Sequence, residues 1–167
     1  SSQLATSLEC RLLYSVEDAL RLGADAVACM GFPGTSLEPD TLENVATLAR
    51  ESDAWGVPLM AEMVPGGLMK SDLRTAENTR LAARIGVELG ADFIKTEYVG
   101  PPESFQQVTE HCYRPVLILG GAKNQGLLTL DDMIQEHLHP MGFPFLDYDD
   151  FVEIFFLIQF PLFHLTF

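Results

Sequence analysis

Apolar positions along the first 120 residues switch between two periods, one of three to four residues and one of short unbroken runs. The first marks helices with one buried face and the second marks buried strands. Ser15-Val16-Glu17-Asp18 sets an N-cap serine ahead of an acid three residues on, a variant of the capping box. The helix it opens is expected to stop at Gly23, the usual place for a residue of positive φ. A strand over 26–30 follows. Residues 41–52 put Leu42, Val45, Leu48 and Ala49 on one helical face, ahead of Gly56 and a strand over 59–64. A third helix, 75–89, is expected to bury Leu81, Ile85 and Leu89 and to lead into a strand over 93–98. A shorter helix at 102–110 precedes Val116-Leu117-Ile118-Leu119, whose unbroken apolar run is that of a parallel strand buried on both faces.

These units repeat. Leu22-Gly23-Ala24-Asp25 recurs as Leu89-Gly90-Ala91-Asp92, and Trp55-Gly56-Val57-Pro58 stands about halfway between. Glycines 23, 56 and 90 are thus 33 and 34 residues apart, close to the length of one strand-plus-helix unit. Alternating helices and buried strands require right-handed crossovers and a parallel sheet, so the fold class is α/β. An open doubly wound sheet and a (β/α)8 barrel both satisfy that requirement. Even spacing and the polar or glycine-rich segments after each strand, such as Pro65-Gly66-Gly67 and Gly120-Gly121, favour the barrel. A complete barrel takes typically about 250 residues, so four to five units here make a partial (β/α)8 TIM barrel.

Composition divides the chain. Eight of its eleven phenylalanines lie in the last 25 of 167 residues, which places a break near 126. Residues 1–125 read as barrel and 126–167 as a divergent Phe-rich tail. The charge of −14 repels phosphate backbones and anionic membranes, and no basic patch offsets it, so neither nucleic acid nor a membrane is an expected partner. Residues 151–167 are apolar but short of a spanning helix, which takes about 20 residues. Three cysteines, Cys10, Cys29 and Cys112, form no CxxC pair, and no signal peptide is visible, so a reduced cytoplasmic location is expected.

Lys95 is the first candidate for chemistry, because it sits mid-strand where the repeat has the small Ala28. Alternation puts Phe93, Lys95 and Glu97 on one face and Ile94, Thr96 and Tyr98 on the other. A lysine facing a barrel interior must be paired or shifted to lower pKa, and a desolvated lysine is able to form a Schiff base with a carbonyl. The plainer alternatives are an outward lysine or a structural ion pair with Glu97. Glu62, on the same face of its strand as Met60 and Val64, is either a proton carrier or a buried partner for Lys95 or Lys70. Gly120-Gly121-Ala122-Lys123 follows the fourth strand, where backbone N–H groups and the Lys123 ammonium suit a phosphate; an ordinary βα turn reads the same way. His137 and His139, two apart, with Asp147, Asp149, Asp150 and Glu153, match no metal-ligand spacing, so no metal is expected. No Gly-x-Ser-x-Gly elbow is present, and Cys112 has only the adjacent His111.

The runs from Ser15 to Val27, from Ala82 through Glu88-Leu89-Gly90-Ala91-Asp92-Phe93-Ile94-Lys95-Thr96, and Ile118-Leu119-Gly120-Gly121-Ala122-Lys123 resemble the archaeal-type class I fructose-bisphosphate aldolases of the deoxyribose-phosphate aldolase-like superfamily. The resemblance covers about residues 4 to 125. It implies a (β/α)8 barrel, a Schiff-base lyase of glycolytic type without cofactor or metal, and a phosphorylated ketose as substrate. Lys95 falls at the imine-forming lysine, and Gly120, Gly121 and Lys123 fall at the phosphate loop. The family's usual tyrosine acid–base stands before a proline at the end of the preceding strand. Here Val64 precedes Pro65, so that work passes to Glu62 or Glu97, or the chain belongs with the thiolase-like enzymes of phosphorylated autoinducer-2 processing, which keep the lysine without the tyrosine. The family's first strands would precede Ser1, and 140–167 do not resemble its final strand.

Three readings follow. The first is a Schiff-base aldolase, the second its thiolase-like relative, and the third an inactive barrel fragment that at most binds a phosphosugar or self-associates. Open strand edges predict a homo-oligomer.

Overall fold

A computed structural model of the chain describes residues 9–67, 70–119 and 155–157. Helices and strands alternate through them: α1 (Val16–Arg21), β1 (Ala26–Gly31), α2 (Glu38–Trp55), β2 (Leu59–Met63), a single 3-10 turn (Ser71–Leu73), α3 (Ala76–Glu88), β3 (Phe93–Glu97), α4 (Pro102–His111), β4 (Val116–Leu119) and β5 (Phe155–Leu157). The five strands form one parallel sheet in the order β4-β3-β2-β1-β5. From β1 to β4 each strand lies beside its successor, with no reversal of direction. A doubly wound sheet reverses at a switch point; a barrel never does, so this is part of a (β/α)8 barrel.

Local chemistry accounts for the element ends. Ser15 Oγ accepts from the Asp18 amide at 3.1 Å while Asp18 Oδ2 accepts from the Ser15 amide at 3.0 Å, so the capping box closes in both directions. Helices α1 and α3 give way to strands through Gly23 and Gly90, at φ of +87° and +107°, where a side chain would be strained. Helix α2 starts three residues earlier than the apolar pattern indicates. Pro39 suits its first turn, and Glu38 Oε2 accepts from the Gly34 amide at 2.7 Å, which ties the preceding loop to the helix.

Alternate residues of each strand face the helices. Val27, Cys29, Leu59, Ala61, Met63 and Ile94 pack with Val45 and Leu48 of α2, Ala82, Ala83 and Val87 of α3, and Phe105 and Val108 of α4. Full burial of side chains such as Leu48, Leu59 and Ile94 contributes about 1.5–3 kcal/mol each, so most of the apolar stabilisation comes from this layer. On the opposite face the register lines up one residue from each strand: Met30 with Glu62, Glu62 with Lys95, and Lys95 with Leu117.

Two expectations need correction. Leu81 is 57% exposed, and α3 instead buries Thr79, Ala82, Ala83, Gly86 and Val87. Small residues line that face because the helix lies close on the sheet: a Cβ at Gly86 would come within 2.8 Å of both Ile94 Cδ1 and Met63 Cγ. Size therefore misleads where closeness decides. The second concerns β4, which is half-buried throughout rather than fully buried, because it ends the sheet among the described residues. Strand β5, from the Phe-rich segment, pairs with β1 through Ala26–Phe155, Val27–Phe156 and Ala28–Leu157.

Candidate active site

Lys95 stands at the centre of β3, on the strand face that turns away from the helices. Its neighbours Ile94 and Thr96 are fully buried on the helix side, so Lys95 and Glu97 project from the other. Thr96 fixes this orientation: its Oγ1 donates to the Met63 carbonyl at 2.7 Å, which clamps β3 to the end of β2. Lys95 Nζ donates to Glu62 Oε2 at 3.2 Å, the Lys95 side chain being 29% exposed and that of Glu62 10%. Lys95 is paired on this face, and its partner is Glu62 rather than Glu97.

Glu97 meets a different cation. Arg74, just after the 3-10 turn that leads into α3, places Nη1 3.0 Å from Glu97 Oε1. Arg74 is itself held by Nη2 donating to the Gly67 carbonyl at 2.9 Å. Burial pushes the Glu97 carboxyl above the usual carboxylate range; Arg74 pulls it back, and the Glu62 carboxylate adds to the push. Lys95, Glu62, Glu97 and Arg74 thus form one charged cluster at the strand face opposite the helices. Nothing in the sequence pattern singled out Arg74. Its signal was its place in the loop after β2, at the C-terminal end of the strands where barrel enzymes carry their chemistry.

The loops at this end are tied to one another. Gly66 donates its amide to the Pro33 carbonyl at 2.8 Å and Val64 donates to Gly31 at 2.9 Å, joining the segments after β1 and β2. Gly66 adopts φ of +78°, and a Cβ there would collide with the Lys70 carbonyl oxygen. Val64 is sealed in an apolar cluster with Cys10, Met30, Phe32 and Leu37. No hydroxyl reaches the site from that position.

The remaining candidates separate. Gly120, Gly121 and Lys123 lie outside the described residues, as do the tail histidines and carboxylates. Among the described residues no group of three or more His, Cys, Asp or Glu is placed to hold a metal, and no helix is long and apolar enough to cross a membrane. Cys10, Cys29 and Cys112 are buried, and burial pushes the Cys29 thiol up to about 12, which makes it a poor nucleophile.

The chain has known relatives. The chain is 42% identical over 113 residues to the 2-amino-3,7-dideoxy-D-threo-hept-6-ulosonate synthase 1 of Archaeoglobus fulgidus, covering 68% of this chain and 41% of that protein. It is 38% identical over 117 residues to the 3-hydroxy-5-phosphonooxypentane-2,4-dione thiolase of Klebsiella pneumoniae, covering 70% of this chain and 38% of that one. In three dimensions it is similar to an archaeal fructose-1,6-bisphosphate aldolase whose catalytic lysine is covalently bound to the carbinolamine intermediate of its substrate, with 35% identity and a TM-score of 0.60 over 66% of this chain and 45% of that one. The chain spans about two fifths of the length of the curated relatives it matches. A family pattern described as DeoC/LacD family aldolase matches residues 3–143, which takes in the barrel strands β1 to β4 and the whole charged cluster. With a singly wound parallel sheet and a lysine on its helix-free face, the chain belongs to the DeoC/LacD aldolase family.

Proposed function

We propose that this chain carries the Schiff-base core of a class I aldolase-type lyase that makes or breaks a carbon–carbon bond in a phosphorylated ketose, with Lys95 as the nucleophile. The observation that carries the reading is the placement of Lys95: mid-strand, on the face away from the helices, part-exposed, and within 3.2 Å of the Glu62 carboxylate. An amine attacks only after losing a proton, and among the described residues Glu62 is in reach to take it. Attack on the carbonyl carbon then gives a carbinolamine, and loss of water gives a protonated imine. The bond between the third and fourth carbons breaks with its electron pair drawn into the imine. An enamine and an aldehyde result, while a base takes the proton from the fourth-carbon hydroxyl. Protonation of the enamine and addition of water release the ketone and restore Lys95. In this reading the substrate phosphate is held by Gly120, Gly121 and Lys123.

Trapping tests the proposal. Borohydride reduction with dihydroxyacetone phosphate or fructose 1,6-bisphosphate should fix one adduct on Lys95, located by peptide mass spectrometry. A folded sample with no adduct there overturns it. A second reading, the thiolase-like reaction, is supported by the buried Val64 where the aldolases carry tyrosine. It predicts turnover of a phosphorylated diketone with coenzyme A and none of fructose 1,6-bisphosphate.

A further inference from the structure

Imine chemistry on Lys95 needs a second proton-transfer group, and the residue at the end of β2 offers none: Val64 is 1% exposed and packed among Met30, Phe32 and Leu37. Two carboxylates share the face of Lys95. Glu62 is only 7% exposed and is committed to the Lys95 ammonium. Once the amine has become an imine, a carboxylate so placed sits against the positive nitrogen and pairs with it. Glu97 stands two residues beyond Lys95 on the same strand and face, nearer the loop end where a substrate enters. Its side chain is 28% exposed, and it meets Arg74 through Oε1. Arg74 is built into place by its bond to the Gly67 carbonyl, and among the described residues its buried Nε has no hydrogen-bond partner.

We propose that Glu97 is the general acid–base of the Lys95 imine and that Arg74 is the residue that positions it. The assignment rests on the Schiff-base reading above and divides the labour within that site. In the step concerned, Glu97 takes a proton from the carbon next to the imine. The C–H electron pair becomes the carbon–carbon double bond of the enamine, and the imine π pair moves onto nitrogen. In the reverse direction the protonated Glu97 returns that proton. Among the described residues, the charged groups that bear on Glu97 are Arg74 from the loop before α3 and Glu62 from β2, with Lys95 two residues back on its own strand; β4 offers the uncharged Leu119 in register. Burial already favours the protonated carboxyl, and Arg74 opposes that, so the rate of proton removal should rise with pH along a limb whose position Arg74 sets.

The test uses the full 167-residue chain with dihydroxyacetone phosphate in D2O, following exchange of the carbon-bound protons by NMR and adduct formation by borohydride trapping in parallel. Glu97→Gln should form the Lys95 adduct within about twofold of the parent, while exchange falls about 100-fold or more. Arg74→Met should shift the acidic limb of the exchange profile to higher pH, and Arg74→Lys should bring it part of the way back. Glu97→Gln that forms the adduct and exchanges within threefold of the parent overturns the assignment and leaves the Schiff-base reading intact. Should Glu97→Gln fail to fold by circular dichroism, the Arg74 pair decides, because both variants keep Glu97: an unmoved limb overturns the assignment. A folded parent with no adduct overturns the Schiff-base reading, and the assignment falls with it.

Discussion

The two faces of this sheet are built from alternate residues of the same strands, yet they have little in common. On the helix side Val27, Cys29, Leu59, Ala61, Met63 and Ile94 make a dry layer with no charge in it. On the other side, one residue along, Glu62, Lys95 and Glu97 gather with Arg74. A five-residue strand such as β3 therefore performs two tasks: Ile94 packs on the helices and Thr96 ties β3 to β2, while Lys95 and Glu97 carry charge. Stability and chemistry are thus separated here by a single step of backbone pleat, with no intervening structure.

That separation can be broken experimentally, and the largest effect should come from Lys95→Met. In the Schiff-base reading it abolishes borohydride-trappable adduct, assayed by mass spectrometry. It also leaves the Glu62 carboxylate buried without the Lys95 cation, which should cost about 1–3 kcal/mol in urea denaturation. Ile94→Ala, next door on the other face, should do the reverse. Its cavity should cost about 2–5 kcal/mol, with adduct yield in the folded fraction unchanged; lost trapping at full folding would show that the faces are coupled. Thr96→Val removes the 2.7 Å bond to the Met63 carbonyl. It should cost about 1 kcal/mol, and because that bond ties β3 to the end of β2 next to Lys95, adduct formation should slow as well.

The smallest effect should come from Ser15→Ala, far from either face, with a loss of about 1 kcal/mol at neutral pH. Its pH dependence is more telling. The Ser15 backbone and side-chain bonds hold the Asp18 carboxyl below its ordinary value of 3.8. A lowered carboxylate pKa gives stability that is complete above the unfolded value and is lost as pH falls through the folded one. The gap between parent and variant should therefore narrow below pH 3.8, measured by denaturation at several pH values.

Much of this was legible in the residues. The Leu-Gly-Ala-Asp repeat located two strand entries, Ser15 to Asp18 announced a cap that forms as written, and the alternation around Lys95 separated its face from that of Ile94 and Thr96. What escaped was whatever depends on distance between elements. Leu81 has the size of a core residue and the right spacing, but α3 lies so close to the sheet that Gly86 and two alanines occupy the contact instead. The partner of Lys95 was open between two carboxylates because Glu62 and Glu97 are both acidic and on the same face; the inter-strand register, which the one-dimensional pattern does not contain, chose Glu62. Arg74 escaped for the same reason, since its role exists only once the loop after β2 has folded back over β3.

The register also protects the fold against a particular error. Parallel strands of similar composition slide past one another with little local penalty, and β2 and β3 are both short. A slip of one residue in β3, however, would exchange its two faces, driving the Lys95 ammonium into the apolar layer that now holds Ile94 and turning Ile94 out. An unpaired charge in such surroundings costs several kcal/mol, a large share of a domain's total stability. The residue proposed as nucleophile thus also penalises misaligned assembly of this sheet, a contribution to folding fidelity made before any substrate arrives.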